Sequence, residues 1–337
     1  MEAKKSQTEI NGDHSQSMKN IVVIRPDAIG DSLVTFPILV ALREKYAPSH
    51  ITFIGNAGAM PLAKAWGIAD EVYSYDKQWT EVFSPIDIHL SGFHDLFQQT
   101  DLAISFALDT DLAKQNLLAA GVKEVITVPI FFKELIQISD VPLHVVQYFA
   151  TWIGVPVSKP ERIVLPNVGS EVFHPYIPPI ALHPGSGSAH RRWPVASFAR
   201  LIVSLVRQQY PVLLLAGPSE STLLAKLLRE VRQHIPKVSQ SGMLTILDNA
   251  PLLKVAEQLK GCGCFVGHDT ATSHLAGLLR IPTLALFGDT YPDRWRPLGP
   301  TVEVIQKIPL ERLSVEKVLD SVLRMYNSHH TFLTAQP

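Results

Sequence analysis

Cysteine is scarce in this chain, with two among 337 residues. Cys262 and Cys264 are separated by one residue and lead into an apolar segment, and no second ligand pair follows that could complete a zinc site. We interpret them as buried free thiols. The sequence therefore predicts neither a disulfide framework nor a bound metal.

Long hydrophobic runs and an excess of one charge are also lacking. No apolar run approaches the roughly 18 residues that cross a membrane, and residues 1–18 are polar without the apolar core of a signal peptide. We therefore expect a disordered N-terminal segment at 1–18 and a cytoplasmic protein. The formal net charge of -1 leaves no electrostatic footprint for DNA or RNA, so nucleic acid is not an expected partner.

The chain is rich in apolar residues, which alternate between strand-like runs and helical spacing. Hydrophobic residues make up 46% of it, enough for a substantial core in two domains. Short β-branched runs alternate with stretches of helical spacing, which predicts an α/β fold with parallel sheets. Prolines crowd 156–179, as in a linker between domains. The predicted division is a first α/β domain at 19–155, the linker at 156–179, a second α/β domain at 180–326 and a tail at 327–337.

The most informative stretch is 264–277, which reads as a buried strand, a turn and a helix. The strand ends at Gly267, and Asp269, Thr270 and Thr272 place small polar groups where the helix begins. Backbone N–H groups and the positive helix end favour phosphate there, at the sheet edge where α/β proteins bind ligands. An ordinary helix capped by Asp269 or Thr270, with His274 as a satisfied polar residue, would give the same pattern.

Two further turns follow predicted strands. In 25–32, Gly30 permits close backbone approach, and Asp31 lies near a helix start, where the dipole stabilises a carboxylate that could act as a general base. The alternative is that Asp31 only caps the helix. In 183–194, glycines, serines and the paired Arg191 and Arg192 suit a diphosphate, although a flexible loop with solvated arginines remains the alternative.

Together the three turns resemble glycosyltransferase family 9, which includes the ADP-heptose:lipopolysaccharide heptosyltransferases. The resemblance runs from about Asn20 to about Tyr326. It rests on three ordered motifs: Gly30-Asp31; His183-Pro184-Gly185-Ser186 with Arg192-Trp193-Pro194; and Gly267-His268-Asp269-Thr270 with Ser273-His274-Leu275-Ala276. It implies a GT-B architecture, in which two Rossmann-like domains face each other across a cleft. The N-terminal domain would bind the acceptor and the C-terminal domain the nucleotide-sugar donor.

The resemblance also implies inverting, metal-independent transfer without a cofactor. Asp31 matches the catalytic aspartate that deprotonates the acceptor hydroxyl, and Gly30 and Gly267 match backbone turns. The donor, ADP-heptose or another nucleotide sugar, would be bound by Ser186, Gly187, Arg191, Arg192, Glu220, Asp269, Thr270, Ala271, Thr272 and His274. The implied acceptor is a lipid-linked saccharide of the lipopolysaccharide type, with peripheral contact at the inner membrane face.

The chain departs from the family pattern at three positions. Arg191 stands where lysine is common and Ala271 where glycine is usual. Ser105-Phe106-Ala107 occupies the place of an Asp-x-Gln element on the acceptor side. Two alternatives therefore stay open: a GT-B enzyme that uses another nucleotide sugar or a protein or small-saccharide acceptor, and a catalytically degenerate module that binds a nucleotide sugar.

Overall fold

Two parallel sheets organise the chain. The computed structural model describes residues 18–75, 82–84, 94–130, 143–166, 168, 177–238 and 241–334. The first sheet has the strand order β3-β2-β1-β4-β5. Its strands are β1 (Lys19–Ile24), β2 (Ser49–Gly55), β3 (Glu71–Ser74), β4 (Leu102–Ala107) and β5 (Glu124–Pro129). The helices that accompany it are α1 (Ile29–Lys45), α2 (Met60–Ala65), α3 (His94–Gln98), α4 (Thr110–Ala119) and α5 (Val145–Ile153).

The second sheet has the order β11-β10-β9-β6-β7-β8. Its strands are β6 (Ile180–His183), β7 (Val212–Ala216), β8 (Leu244–Asp248), β9 (Cys264–His268), β10 (Thr283–Phe287) and β11 (Val302–Gln306). Its helices are α6 (Val195–Arg207), α7 (Ser221–His234), α8 (Leu252–Leu259), α9 (Ala271–Leu278), α10 (Pro292–Trp295) and α11 (Val315–Thr334). The described strand pairs are all parallel, as the alternating pattern predicts.

Burial explains why the central strands were predictable. Every residue of β4, β6 and β9 is buried, because helices cover both faces of a parallel sheet and the strands become continuous apolar runs. The edge strands β3 and β8 are only partly buried and were not predicted. Neither were α3 and α5, since α3 is a helix of only five residues and α5 is a short, mostly buried apolar run that periodicity does not distinguish from a strand.

Three element ends differ from the sequence predictions. Helix α1 begins at Ile29, four residues before the apolar spacing starts, so that Asp31 lies within the first helical turn. Strand β9 continues through Gly267 to His268. Helix α11 continues to Thr334, beyond residue 326 where the second domain was expected to end. At its other end, the Ser314 hydroxyl accepts a hydrogen bond from the Lys317 N–H at 3.3 Å, which is the geometry of an N-terminal cap.

The two sheets are joined through helix packing between α1 and α9. One continuous buried cluster includes Leu33 and Phe36 of α1 together with Leu275 of α9 and Leu279 at its C-terminal end. The N-terminal ends of the two helices meet where a side chain on Gly30 would lie 3.7 Å from the backbone of Ala271. This contact brings the carboxyl ends of β1 and β9 to opposite sides of one cleft. In the described ranges, α11 and the other helices are too short or too polar to cross a bilayer.

Gly277, on the C-terminal half of α9, permits a close approach between two backbone segments. A Cβ atom there would collide with the carbonyl oxygen of Leu298, and the facing Gly299 has a φ of +131°. We expect Gly277→Ala to lower the free energy of unfolding by about 1–3 kcal/mol through overpacking, as measured by denaturant unfolding. Gly288→Ala is the control, because the nearest atom lies 3.8 Å from its added Cβ. Equal losses in the two variants would contradict this account.

Candidate active site

Asp31 lies on α1 at the carboxyl end of the first sheet. Its Oδ1 accepts a hydrogen bond from Nη2 of Arg25 at 3.2 Å, and the side chain is 25% exposed. The N-cap is Ala28, without a side-chain capping bond. The capping alternative therefore finds no support in the geometry. A partly exposed carboxylate in a first helical turn is stabilised by the dipole and reaches the cleft.

Arg25, the residue after β1, was not singled out from the sequence. It is 2% exposed, and its Nη1 forms a second ion pair with Oδ2 of Asp27 at 3.0 Å. Its guanidinium carbon lies 4.6 Å from the ring centroid of Phe106 and 4.9 Å from that of Phe149. Burial raises the pKa of Asp27 above its ordinary value, while the charge of Arg25 opposes that rise. The only available signal was an arginine directly following a buried β-branched strand.

The turn between β9 and α9 has the geometry of an anion-binding helix end. Thr270 is the N-cap with extended backbone angles and makes no side-chain capping bond. The Thr270 and Thr272 hydroxyls lie 3.0 Å apart, and Thr272 Oγ1 is 2.9 Å from Nδ1 of His183. The first N–H groups of a helix have no intrahelical acceptor, so those of Ala271 and Thr272 are suited to a bound anion.

Glu220 connects the carboxyl ends of two neighbouring strands, β6 and β7. Its Oε2 lies 3.0 Å from Nε2 of His183 and accepts a hydrogen bond from the Gly217 N–H at 2.7 Å. Burial alone would raise the pKa of Glu220, but these bonds outweigh it and hold the pKa below its ordinary value. A Cβ atom on Gly185 would collide with this carboxylate. The predicted role of Glu220 in donor binding stays a prediction.

His268, the last residue of β9, holds the loop 183–194 against this strand. Its Nδ1 donates to the Gly185 carbonyl at 2.8 Å, and its Nε2 accepts from the Trp193 N–H at 2.7 Å. Burial lowers the pKa of His268 to about 4, which keeps the ring neutral and fixes this donor and acceptor pattern. The sequence motif contained His268 but gave no indication of this structural role.

The two arginines of this loop differ in their contacts. Arg192 donates from Nε and Nη2 to the Ser186 carbonyl at 3.1 and 2.7 Å, so its fork holds the shape of the loop. Arg191 ends a 3₁₀ turn at Ala189–Arg191, and its charge acts on Asp269. Gly187 is exposed, with open space around its Cα. Of this pair, Arg191 is the cation available to a ligand.

Asp269 and His274 lie on the side of the second domain, opposite Asp31. The Asp269 Oδ1 and His274 Nε2 atoms are 3.8 Å apart. Burial raises the pKa of Asp269 to about 6, a rise that Arg191 opposes and the charge of Asp31 reinforces. Burial lowers the pKa of His274 to about 3, so the ring is neutral, and its Nδ1 has no hydrogen-bond partner among the described residues.

Comparison with known proteins bears directly on this geometry. Residues 160–321 match the family model described as glycosyltransferase family 9 (heptosyltransferase). Lipooligosaccharide heptosyltransferase 2 of Haemophilus influenzae is 23% identical over 88% of this chain and 91% of its own. Lipopolysaccharide heptosyltransferase 2 of Escherichia coli K12 is 31% identical, over 39% of this chain and 37% of its own.

The chain is a glycosyltransferase whose residues 160–321 are similar to family 9. Its fold resembles the solved structure of E. coli ADP-heptose lps heptosyltransferase II with a TM-score of 0.70, at 17% identity over 93% of this chain and 100% of the other. It also resembles E. coli heptosyltransferase WaaC with ADP, with a TM-score of 0.66 at 16% identity over 91% and 99% of the two chains. This glycosyltransferase has the expected GT-B fold.

The described residues of this glycosyltransferase include no group of three or more His, Cys, Asp or Glu side chains arranged to hold a metal ion. Cys262 and Cys264 are buried and free, as expected, and burial raises the pKa of the Cys262 thiol to about 12. The predicted roles of the site residues, and the absence of a metal from the reaction, stay predictions.

The raised pKa of Asp269 makes stability depend on pH. Between its ordinary value of 3.8 and about 6, the folded protein binds more protons than the unfolded chain, so this carboxyl lowers stability as pH rises through that window. Asn cannot ionise. Asp269→Asn should therefore gain about 1–3 kcal/mol relative to the wild type between pH 4 and pH 7, measured by denaturant unfolding.

Asp289→Asn is the matched control for this measurement, because Asp289 is an exposed carboxylate after the neighbouring strand β10. Its stability relative to the wild type should change little over the same pH range. A constant difference between Asp269→Asn and the wild type at every pH would contradict the assignment of a raised pKa to Asp269.

Proposed function

We propose that this glycosyltransferase transfers heptose from ADP-heptose to a lipid-linked saccharide of the lipopolysaccharide type, with inversion at the anomeric carbon and without a metal ion. The observation that carries the proposal is the apposition of the α1 and α9 ends, with Gly30 against Ala271. It places the carboxylate of Asp31 opposite a helix end suited to a diphosphate. The names of the relatives supply the sugar, the nucleotide and the acceptor class.

The chemistry follows from a base on one side of the cleft and anion-stabilising groups on the other. A carboxylate oxygen of Asp31 takes the proton of the acceptor hydroxyl as that oxygen forms a bond to the anomeric carbon. The bond from that carbon to the β-phosphate oxygen breaks, and its electron pair leaves with ADP. Attack on the face opposite the leaving group inverts the configuration.

Leaving-group charge would be met by the donor domain. The N–H groups at the start of α9, the hydroxyls of Thr270 and Thr272, and the positive end of the helix dipole can all stabilise a diphosphate. Arg191 supplies a full positive charge beside Asp269. Because its guanidinium is a planar fork, it can engage two phosphate oxygens where lysine would present one ammonium. Ser186 and Gly187 would contribute backbone groups from the adjoining loop.

The acceptor is the part of the proposal that the family pattern supports least. Phe106 packs its ring against Arg25, and Ser105 is fully buried, so neither presents a polar side chain to the cleft. This departure favours a second candidate, a GT-B transferase of the same donor class that acts on a protein or small saccharide. For a lipid-linked acceptor, we propose a cytoplasmic protein with peripheral contact at the inner membrane face.

Asp31→Asn tests the base. We expect about a 10²–10⁴-fold loss of kcat, with the Kd for ADP unchanged, because the substitution removes the proton acceptor and leaves the donor turn intact. Initial rates and calorimetric titration measure the two quantities. Asp111→Asn is the matched control, since Asp111 also lies in the first turn of a helix of the same domain, α4. Undiminished turnover in Asp31→Asn would exclude this role.

Nucleotide selectivity tests the donor. We expect calorimetric titration of the wild type in EDTA to show binding of ADP, and weaker or no binding of UDP and GDP. A preference for UDP or GDP would be compatible with the GT-B fold but would contradict ADP-heptose as the donor. ADP binding that disappears on addition of EDTA would contradict metal independence. Binding without transfer to any offered acceptor would favour a degenerate module.

A further inference from the structure

A buried arginine lies directly behind the proposed base. We define the Arg25 clamp as the guanidinium of Arg25 with the two rings of Phe106 and Phe149 and the carboxylate of Asp27. The two ring centroids are 4.8 Å apart at an interplanar angle of 78°, and both lie within 5 Å of the guanidinium carbon. Arg25 is 2% exposed, so the cation is enclosed by this clamp and by Asp31.

Stability alone is a poor explanation for this arrangement. Burial of a cation is costly, and replacing a buried ion pair by apolar residues of similar volume is often neutral or stabilising. Burial opposes the charged form of Arg25 and lowers its pKa, while Asp27 and Asp31 act in the opposite direction. The clamp therefore keeps a positive charge among apolar side chains. The main consequence of this charge is that it fixes the positions of the two carboxylates.

The two terminal nitrogens of the guanidinium face different carboxylates. Nη1 faces Oδ2 of Asp27 at 3.0 Å, and Nη2 donates to Oδ1 of Asp31 at 3.2 Å. Asp31 thus receives one bond rather than a bidentate pair, and its Oδ2 accepts no hydrogen bond from the described residues. One oxygen holds the carboxylate in place, and the other is left for the proton of an acceptor hydroxyl.

We propose that Arg25 is a positioning residue that fixes the carboxylate of Asp31 for proton abstraction, with Phe106 and Phe149 holding the guanidinium plane. This inference rests on the proposed function, in which Asp31 is the base. It also gives Phe106 a role. Phe106 lies near the end of β4, where the family pattern differs, and its ring packs against Arg25 instead of contacting the acceptor.

Chemical rescue can separate positioning from folding. Arg25→Ala should leave a slot bounded by the two rings and the two carboxylates. We expect kcat to fall by about 100-fold, since displacement of a reacting group by about 1 Å can cost that much, with the Kd for ADP unchanged. Guanidinium ion at low millimolar concentration should restore at least a tenth of the wild-type kcat. Urea, a planar neutral molecule of similar shape, should restore none.

Arg25→Lys provides a second test, particularly if the alanine variant fails to fold. An ammonium keeps the charge but has no planar fork that can pair with both carboxylates while it packs against the two rings. We expect kcat between the wild-type and alanine values, with the KM for the donor unchanged. Phe106→Leu, which keeps an apolar side chain but removes one ring face, should lower kcat and leave ADP binding intact.

The outcomes distinguish the two proposals. A wild type that transfers no heptose contradicts the proposed function, and the role of Arg25 fails with it. If the wild type is active, full turnover in Arg25→Ala or Arg25→Lys would overturn the inference alone. Equal effects of urea and guanidinium, or a loss of kcat that only follows the fraction of folded protein, would assign Arg25 to folding. Rescue by guanidinium alone would support positioning.

Discussion

The site depends on the contact between the N-terminal ends of α1 and α9. Two positive helix ends this close together repel each other, and each is accompanied by a carboxylate, Asp31 on α1 and Asp269 before α9. Gly30 lies at this junction, where an added Cβ would meet Ala271 and His274 at 3.7 Å. A dianionic diphosphate entering between the helix ends would complete the same charge compensation.

The buried polar groups near Asp269 and those near Asp31 are stabilised by different kinds of contact. On the side of the second domain, histidines join turns: His268 links Gly185 to Trp193, and His183 links Glu220 to Thr272. The neutral ring of His268 donates one hydrogen bond and accepts another, so it joins two segments without a buried charge. On the acceptor side a full charge, that of Arg25, is shared between two carboxylates and two rings.

This contrast fits a GT-B transferase in which one domain binds the donor and the other domain positions the base for the acceptor. In the proposed reaction, the second domain binds a nucleotide whose charge changes as the sugar leaves, and the hydroxyls of Thr270 and Thr272 lie at the helix end that would receive it. The first domain would hold one carboxylate at a fixed position. The ring of Phe106, at the point of departure from the family pattern, contributes to the second task by packing against Arg25.

Local sequence determined the α/β alternation, the buried strands and the three turns at their carboxyl ends, because side-chain periodicity and turn chemistry act over a few neighbouring residues. Tertiary structure decided which polar groups meet. Arg192 contacts Ser186 rather than the open cleft, and Trp193 bonds to His268 across 75 positions. The partners of Arg25 come from β4 and α5, since strand order places β4 beside β1. No local pattern encodes such pairings, because they exist only once the sheets have formed.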